Sequence, residues 1–547
     1  PFTVTIYSAN RAEWAITDLA CISYSLTNTA LYDTLGPTTS KYILETTESP
    51  VVVTSKDHLE AIINLKAKHP QELQALIALV LMDPLGPEDH ATVAKANAAK
   101  IQLFDFKQVE KFGEINPVQD YPPTQDTIYT ISFTSGTTGA NPKGVVLTHK
   151  NAHASMVFTC CLIPQLAKSR VLCFLPLAHI YERANLAMAF LMVTEVAFPQ
   201  GPSPLTLLDD LQACRPNIIT LVPRVFTKIE AALKLQTLEN EEKPFLSSVF
   251  SKAIASKTEL QATEDGAEGK IWWADTLVGL VRKKIGFDNV LFVASGSAPI
   301  SSSTVKFFKA ALNIGFTQGY GLTESFAGMC ASPIYEANPG SCGPTSISCE
   351  IRLRDLPEMG YLSTDADGAR GELLLRGPQI FKEYFKNPEE TAKAFDEDGW
   401  FYTGDVCRVD ATTGRLHIID RVKNFFKLAQ GEYITPEKIE NTYISSNPLL
   451  SQIYVHGDSL KTYLVAILGV DPEPTRHWLI SKHSVDPGSI ASDEELISTL
   501  NNKHRLAFLN YINENTKGSI GGFEKVHNIQ IGIEPLSVEN NLLTPTL

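Results

Sequence analysis

Short, continuously apolar runs alternate with helical stretches over the first 235 residues, and no other feature constrains the fold as strongly. The runs are TVTIYS (3–8), PVVVTS (50–55), ALIALVLMD (75–83), VLCFLPL (171–177) and NIITLVP (217–223). A strand that is apolar on both faces must be covered on both, and crossover helices provide that cover, so the runs predict doubly wound parallel sheets. Residues 225–289 are helical in pattern and richly charged. A strand, NVLFVASG (289–296), follows, and another leads into GFTQGYGLTES (315–325). From 340 to about 420 the pattern changes to Gly-punctuated short strands, GELLLRG (371–377) and RLHIID (415–420), which predict a small antiparallel barrel. A second break falls at Asp420–Asn424. Beyond it, Ile434-Thr435-Pro436-Glu437 reads as a helix start: Thr435 as cap, proline in the first turn, an acid at the positive end.

The expected fold is therefore α/β. A large N-terminal domain (1–420) would hold two doubly wound sheet subdomains plus the barrel (about 340–420). A small α+β C-terminal domain (421–547) would follow.

Composition excludes several classes of function. No apolar run reaches the roughly 18 residues of a membrane span; the patchy Ala184–Phe198 is broken by Thr194 and Glu195. The net charge of −14 argues against broad nucleic-acid binding, so any anion site must be made locally. Nine cysteines, an odd number with no CxxC pair, argue against a disulfide framework or zinc site and fit a reducing compartment. His149 and His153 stand at i, i+4 in HKNAH but lack the adjacent glutamate of a metalloprotease helix, so they read as helix-face residues. The chain opens at Pro1 directly into a strand and stops at Leu547 just after a turn, which reads as a trimmed sequence.

The strongest chemical signal is TSGTTGANPKG (134–144). Its glycines let backbone N–H groups turn inward onto a phosphate, its hydroxyls add donors, and Lys143 adds a mobile positive charge. It is not the GxxxxGK[ST] loop of kinases and NTPases, because Gly144 follows Lys143. ISFT before it and KGVVLTH after it predict a loop between two strands.

This loop resembles the phosphate loop of the adenylate-forming superfamily: acyl-CoA synthetases, peptide-synthetase adenylation domains and luciferases. Further segments match in order over essentially the whole chain. DGWFYTGDVCRVDATTGRLHIIDRVKN (398–424) and LYDTLGP (31–37) resemble the eukaryotic long-chain fatty acyl-CoA synthetases. The resemblance implies that Thr134, Ser135, Gly136, Thr137, Thr138, Gly139 and Lys143 surround the phosphates of ATP. In FLPLAHIYER (174–183), His179 would lie near the substrate carboxylate. Gly296, Ser297, Ala298 and Pro299 would sandwich adenine against Tyr320, with Gln318, Gly319 and Gly321 alongside. Thr323 would touch the α-phosphate, and Glu324 would hold Mg²⁺ with Thr137 nearby. Asp405 would accept from both ribose hydroxyls, assisted by Arg421, with Ile418 close by. Lys143, Thr323, Glu324 and His179 form the implied catalytic set.

The segment FFKLAQGEYITPEKIE (425–440) would swing in for thioester formation, with Lys427, Gly431 and Glu432 along the route of coenzyme A. A lysine that in the family follows the TPTL-type turn would fall beyond Leu547, and Asn541 stands where the family often has glycine. The implied ligands are a fatty acid, ATP, coenzyme A and Mg²⁺. The implied setting is a peripheral one, on the cytosolic face of the endoplasmic reticulum, a lipid droplet or a peroxisome. Two other readings stand beside the ligase: another adenylating enzyme with a different acid or acceptor, and a non-catalytic fatty-acid-binding protein of the same fold.

Overall fold

A computed structural model describes residues 2–32, 36–134, 141–162, 169–201, 206–238, 243–429, 432–537, 540 and 542. The early apolar runs form the first sheet: β1 (Thr3–Tyr7), β2 (Thr27–Ala30), β3 (Val51–Thr54), β4 (Ala78–Leu81), β5 (Gln102–Asp105), β6 (Ile128–Phe133) and β7 (Gly144–Thr148). Their order is β5-β4-β3-β1-β2-β6-β7. All neighbours are parallel except β6 and β7, which close that edge as an antiparallel hairpin.

The second sheet repeats the plan with β8 (Arg170–Leu172), β9 (Glu195–Ala197), β10 (Ile218–Leu221), β11 (Phe292–Ser295), β12 (Gly315–Leu322) and β13 (Ala327–Ala331), in the order β13-β12-β11-β10-β8-β9. Again one edge pair, β12 and β13, is antiparallel. Both hairpins belong to the segments singled out for chemistry. The run VLCFLPL yields only a three-residue strand. Beyond it, the Asn10 side chain donates to the carbonyls of Cys173 (2.8 Å) and Leu175 (2.7 Å) and accepts from Leu177 N–H (2.9 Å), taking those backbone groups out of the ladder.

Residues 350–421 form β14 (Glu350–Arg354), β15 (Arg370–Arg376), β16 (Phe401–Val409) and β17 (Leu416–Arg421). This corrects the expected barrel. The sheet is open, in the order β14-β15-β16-β17, and β14 and β17 are not paired with each other among the described residues. The short pair β18 (Phe426–Lys427) and β19 (Tyr433–Ile434) leads to β20 (Leu450–His456), β21 (Leu464–Val470) and β22 (Val526–Gly532), packed with helices around a core drawn from residues 428–531.

A buried ion cluster ties the helix Ile180–Leu191 to the first sheet. Arg183 donates to Asp18 Oδ1 (2.6 Å), Asn28 Oδ1 (2.9 Å) and Thr130 Oγ1 (2.6 Å), and Tyr129 donates to Asp18 Oδ2 (2.7 Å). A charge buried this deeply needs such partners: both terminal nitrogens of Arg183 are bonded while its Nε is not, and the pairing ties that helix to the sheet.

Candidate active site

The loop read as a phosphate cradle does connect two strands. Thr134 N–H donates to the Lys143 carbonyl at 3.0 Å, directly beyond the Phe133↔Gly144 pair that ends the hairpin. Ser135, Gly136, Thr137, Thr138 and Gly139 lie outside the described residues. Residues 383–385 run along β7: Val146 N–H donates to the Glu383 carbonyl (3.1 Å), and Phe385 N–H to the Gly144 carbonyl (2.7 Å). That pairing holds Tyr384 between the hairpin and the neighbouring turn. Its hydroxyl donates to Glu324 Oε1 at 2.9 Å, and Lys143 Nζ lies 5.0 Å from its ring centre. Lys143 Nζ forms an ion pair with Glu390 Oε2 at 2.5 Å. Neither Tyr384 nor Glu390 was singled out from sequence.

Thr323-Glu324-Ser325 form a single 3₁₀ turn between β12 and β13. Phe326 and Ala327 follow with φ of +48° and +70°, a left-handed conformation that disfavours side chains. The surroundings over-determine it. Fully buried Gln379 donates to the carbonyls of Ser325 (2.8 Å) and Gly328 (2.6 Å), Ser155 donates to the Phe326 carbonyl (2.7 Å), and Phe381 N–H donates to the Glu324 carbonyl (2.8 Å). Gly321 is required at the start of this turn, because a Cβ there would lie 1.9 Å from the Ala327 carbonyl oxygen. Burial pushes the Glu324 carboxyl up, while Tyr384 and Lys143 pull it down.

Among the described residues no cluster of three or more His, Cys, Asp or Glu side chains could hold a metal. A single carboxylate that shares an ion with phosphate oxygens and water is nevertheless a donor set magnesium accepts, and a cation there would offset the burial of Glu324. Glu324 therefore fits a magnesium ligand of that kind.

Across the turn, Tyr320 donates its hydroxyl to Asp405 Oδ2 at 2.5 Å. The β16–β17 register sets Asp405 opposite Arg421, whose Nε is 3.4 Å from Asp405 Oδ1. Asp405 is only 4% exposed, and burial raises its pKa against the pull of Arg421 and Tyr320. Gln318 Oε1, on the same strand as Tyr320, is buried without a hydrogen-bond partner, an acceptor that suits the exocyclic amine of a base. Gly296 lets the Tyr181 ring approach: a Cβ there would lie 3.1 Å from it. Ser297 (φ +70°), Ala298 and Pro299 continue that loop. Ile418 packs from β17 against the core shared by Tyr320. The sequence-predicted Gln318, Tyr320, Asp405 and Arg421 are thus brought together, with Lys143 and Glu324 beside them.

An apolar cavity of about 170 Å³ opens next to these residues. Ser295, adjacent to Gly296, and Gly319, adjacent to Tyr320, lie in its wall with Phe158, Tyr181, Met188 and Met192. His179 caps the helix that supplies Tyr181: its Nδ1 accepts from Tyr181 N–H at 3.2 Å. Burial pushes its pKa down to about 4, so at neutral pH the ring is uncharged and can only offer a hydrogen bond.

Beyond β17, the helix Pro436–Ser446 begins where expected, but Thr435 makes no side-chain cap bond. Buried Asp420 replaces it: its Oδ2 accepts from Glu437 N–H at 3.1 Å, while Oδ1 accepts from Arg421 N–H and Asn424. Glu432 is exposed and Lys427 lies in β18, whereas Gly431 lies outside the described residues, as do Asn541 and the chain end.

Comparison with known proteins identifies the family. The family described as AMP-binding enzyme matches residues 2–385. The chain is 38% identical to "Acyl-CoA ligase 891, peroxisomal" of Penicillium roqueforti, covering 100% of this chain and 78% of that protein. It is 34% identical to "Long chain acyl-CoA synthetase 6, peroxisomal" of Arabidopsis thaliana (100% and 75%). It is also 34% identical to "Long-chain-fatty-acid--CoA ligase 5" of Rattus norvegicus (100% and 77%). Among solved structures, the adenylation domain of the carboxylate reductase from Mycobacterium chelonae superposes with a TM-score of 0.79 at 25% identity, covering 100% of this chain and 77% of that one. The match over residues 2–385 and these full-length relatives place the chain in the family of AMP-binding enzymes.

Proposed function

We propose that this protein is an AMP-forming long-chain fatty acid–CoA ligase, using ATP, a fatty acid and coenzyme A. One observation carries the reading: a polar site, with Tyr320 bonded to buried Asp405, adjoins an apolar cavity whose wall includes Ser295 and Gly319. Such a site joins a base and ribose to a hydrocarbon chain at one point, where the acid's carboxylate would meet the α-phosphate.

A fatty carboxylate, with a pKa near about 4–5 like that of glutamate, is already ionised at neutral pH and needs no general base. The obstacle is charge: a carboxylate must approach a polyanion. Lys143, the N–H groups of the 134–144 loop and Thr323 offset that charge, and uncharged His179 orients the carboxylate without neutralising it. Glu324, with Thr137, would hold magnesium, which when bound supplies further charge neutralisation on the phosphates. Asp405 and Arg421 hold the ribose, and Gly296–Pro299 with Tyr320 hold the adenine.

The carboxylate oxygen bonds to the α-phosphorus as the bond to pyrophosphate breaks. In the second step the coenzyme A sulfur bonds to the acyl carbon, the carbon–oxygen bond to phosphate breaks, and AMP leaves. Residues 421–547 would form a small mobile domain beside the large domain 1–420. Its self-contained core supports that division, and the 420–424 joint would let it bring Lys427, Gly431 and Glu432 to the site for the second step. No enzyme cysteine takes part. The expected workplace is a membrane surface, where long-chain acids reside, on the cytosolic face of an organelle; the peroxisome is favoured by two relatives whose names say peroxisomal.

The natural full-length protein, given ATP, Mg²⁺ and fatty acids of graded length with and without coenzyme A, should yield acyl-CoA and AMP. Acyl-AMP without thioester would mean a different acceptor. Fatty-acid binding without AMP would mean a lipid-binding protein of the same fold.

A further inference from the structure

The ion pair that occupies Lys143 has a second cation on its other side. Glu390 lies in the first turn of the helix Pro388–Ala394. Its Oε2 meets Lys143 Nζ at 2.5 Å, and its Oε1 meets Lys393 Nζ at 2.9 Å. The helix is fixed relative to the phosphate hairpin. Asn387 Oδ1 accepts from Glu390 N–H (3.1 Å), and Tyr384 N–H donates to Thr391 Oγ1 (2.9 Å), while residues 383–385 pair with β7. Glu390 is therefore a shared carboxylate, held between a lysine assigned to the phosphates of ATP and a more exposed one on its own helix.

We propose that Glu390 is a positioning residue that holds Lys143 while the phosphate site is empty, and that Lys393 retains Glu390 when a triphosphate claims Lys143. This rests on the ligase reading above. Three features of the cluster support it. The two lysines hold the Glu390 carboxyl down to about 2, so it is ionised throughout the working pH range and would repel an entering triphosphate if left bare. Lys143 and Glu390 are partly exposed, at 38% and 30%, so their pair is weak enough to be exchanged. Lys393 also pairs with Glu389 at 2.8 Å, so it stays beside Glu390 after Lys143 departs. On pyrophosphate release the exchange would reverse, since Glu390 competes for the lysine that the leaving group must give up.

The test measures ATP binding by calorimetry on the full-length protein, with Mg²⁺ and without fatty acid, and uses adenosine, which has no phosphate, as a control. E390Q removes the competing charge with little change of shape and should tighten ATP binding by about fivefold, the upper end for a partly exposed ion pair. K393A should weaken ATP binding about two- to fivefold, because Glu390 would then rely on Lys143 alone. E390Q/K393A should stay close to E390Q, because Lys393 acts mainly through Glu390, its other partner Glu389 being largely in solvent. Adenosine should bind all three variants as it binds the wild type. Unchanged or weaker ATP binding by E390Q, or an equal shift for adenosine, would overturn the proposal. A wild-type protein that binds no ATP would instead overturn the ligase reading itself, so the two failures are distinguishable.

Discussion

Asp405 and Lys143 are assigned to the same nucleotide, yet they wait for it in opposite conditions. Asp405 is 4% exposed, with Tyr320 on one oxygen and Arg421 near the other, in a place set by the register of β16 and β17. Lys143 stands at the end of a hairpin loop, 38% exposed and held by Glu390. The first arrangement is a preformed acceptor in a low-dielectric wall, suited to a part of the ligand that stays still through both reactions. The second is an exchangeable charge, suited to phosphates that arrive, react and leave. The contrast separates binding from rate: the ribose side should govern the KM for ATP, and the phosphate side should govern kcat.

The largest expected effect is on the phosphate side. Lys143→Ala should lower the rate of adenylate formation by about 10²–10³, the usual loss when one charge-stabilising donor is removed from a transition state. A single-turnover assay of acyl-AMP would measure it, and a change confined to KM would reverse the assignment. Next comes Asp405→Ala. Losing a charged acceptor from two hydroxyls, and stranding the Tyr320 hydroxyl, should raise the KM for ATP by about 10- to 100-fold with a much smaller change in kcat. Tyr320→Phe is gentler. It keeps the aromatic face for adenine and removes one hydrogen bond to Asp405, so the KM for ATP should rise by about three- to tenfold. Equal effects of Asp405→Ala and Tyr320→Phe would mean that Asp405 acts only by holding the tyrosine.

Much of this was legible before the structure, for a physical reason. Parallel strands covered on both faces must be continuously apolar, and a phosphate loop must be rich in glycine and hydroxyls, so both leave local signatures. Read alone as a core residue, a helix-start acid and part of a turn, Tyr320, Glu324 and Asp405 stood in motifs that the family resemblance singled out. Gln379, Tyr384 and Glu390 did not. Each acts across more than 50 residues of chain or from a helix that looks like ordinary charged surface, and tertiary contacts, the pairing of 383–385 with β7 and the Phe381–Glu324 bond among them, bring them to the turn and the hairpin. The cap of helix Pro436–Ser446 failed for a related reason. Thr435 has the right chemistry locally, but buried Asp420 reaches the same N–H from β17 and brings a full negative charge to the helix N-terminus. The barrel expected at 340–420 failed because Gly-punctuated strands state that a sheet is antiparallel, not that it closes.

Asp420 also sets the smallest effect, which concerns the joint at 420–424 that the two-step reading needs. Burial, then the charge of Asp420, pushes the Glu437 carboxyl up to about 7, and Glu440 is likewise raised to about 7 by burial. Arg421 pulls Glu437 down, Asp405 pushes it up, and Asn424 donates to its Oε1 at 2.7 Å. An unfolded glutamate titrates near about 4.3. Below that pH both states are protonated and Glu437 contributes nothing to pH dependence. As pH rises towards about 7 the unfolded chain ionises first, so folding takes up a proton and local stability falls; above about 7 the folded group ionises too and the loss levels off. Amide exchange in the helix Pro436–Ser446, corrected for intrinsic rates, should therefore show protection declining from about pH 5 to about pH 7.5. Glu437→Gln should remove a large part of that slope, with Glu440 and Asp420, whose carboxyls burial also raises, responsible for the rest. A flat wild-type profile, or an unchanged slope in Glu437→Gln, would show that Glu437 takes up no such proton on folding.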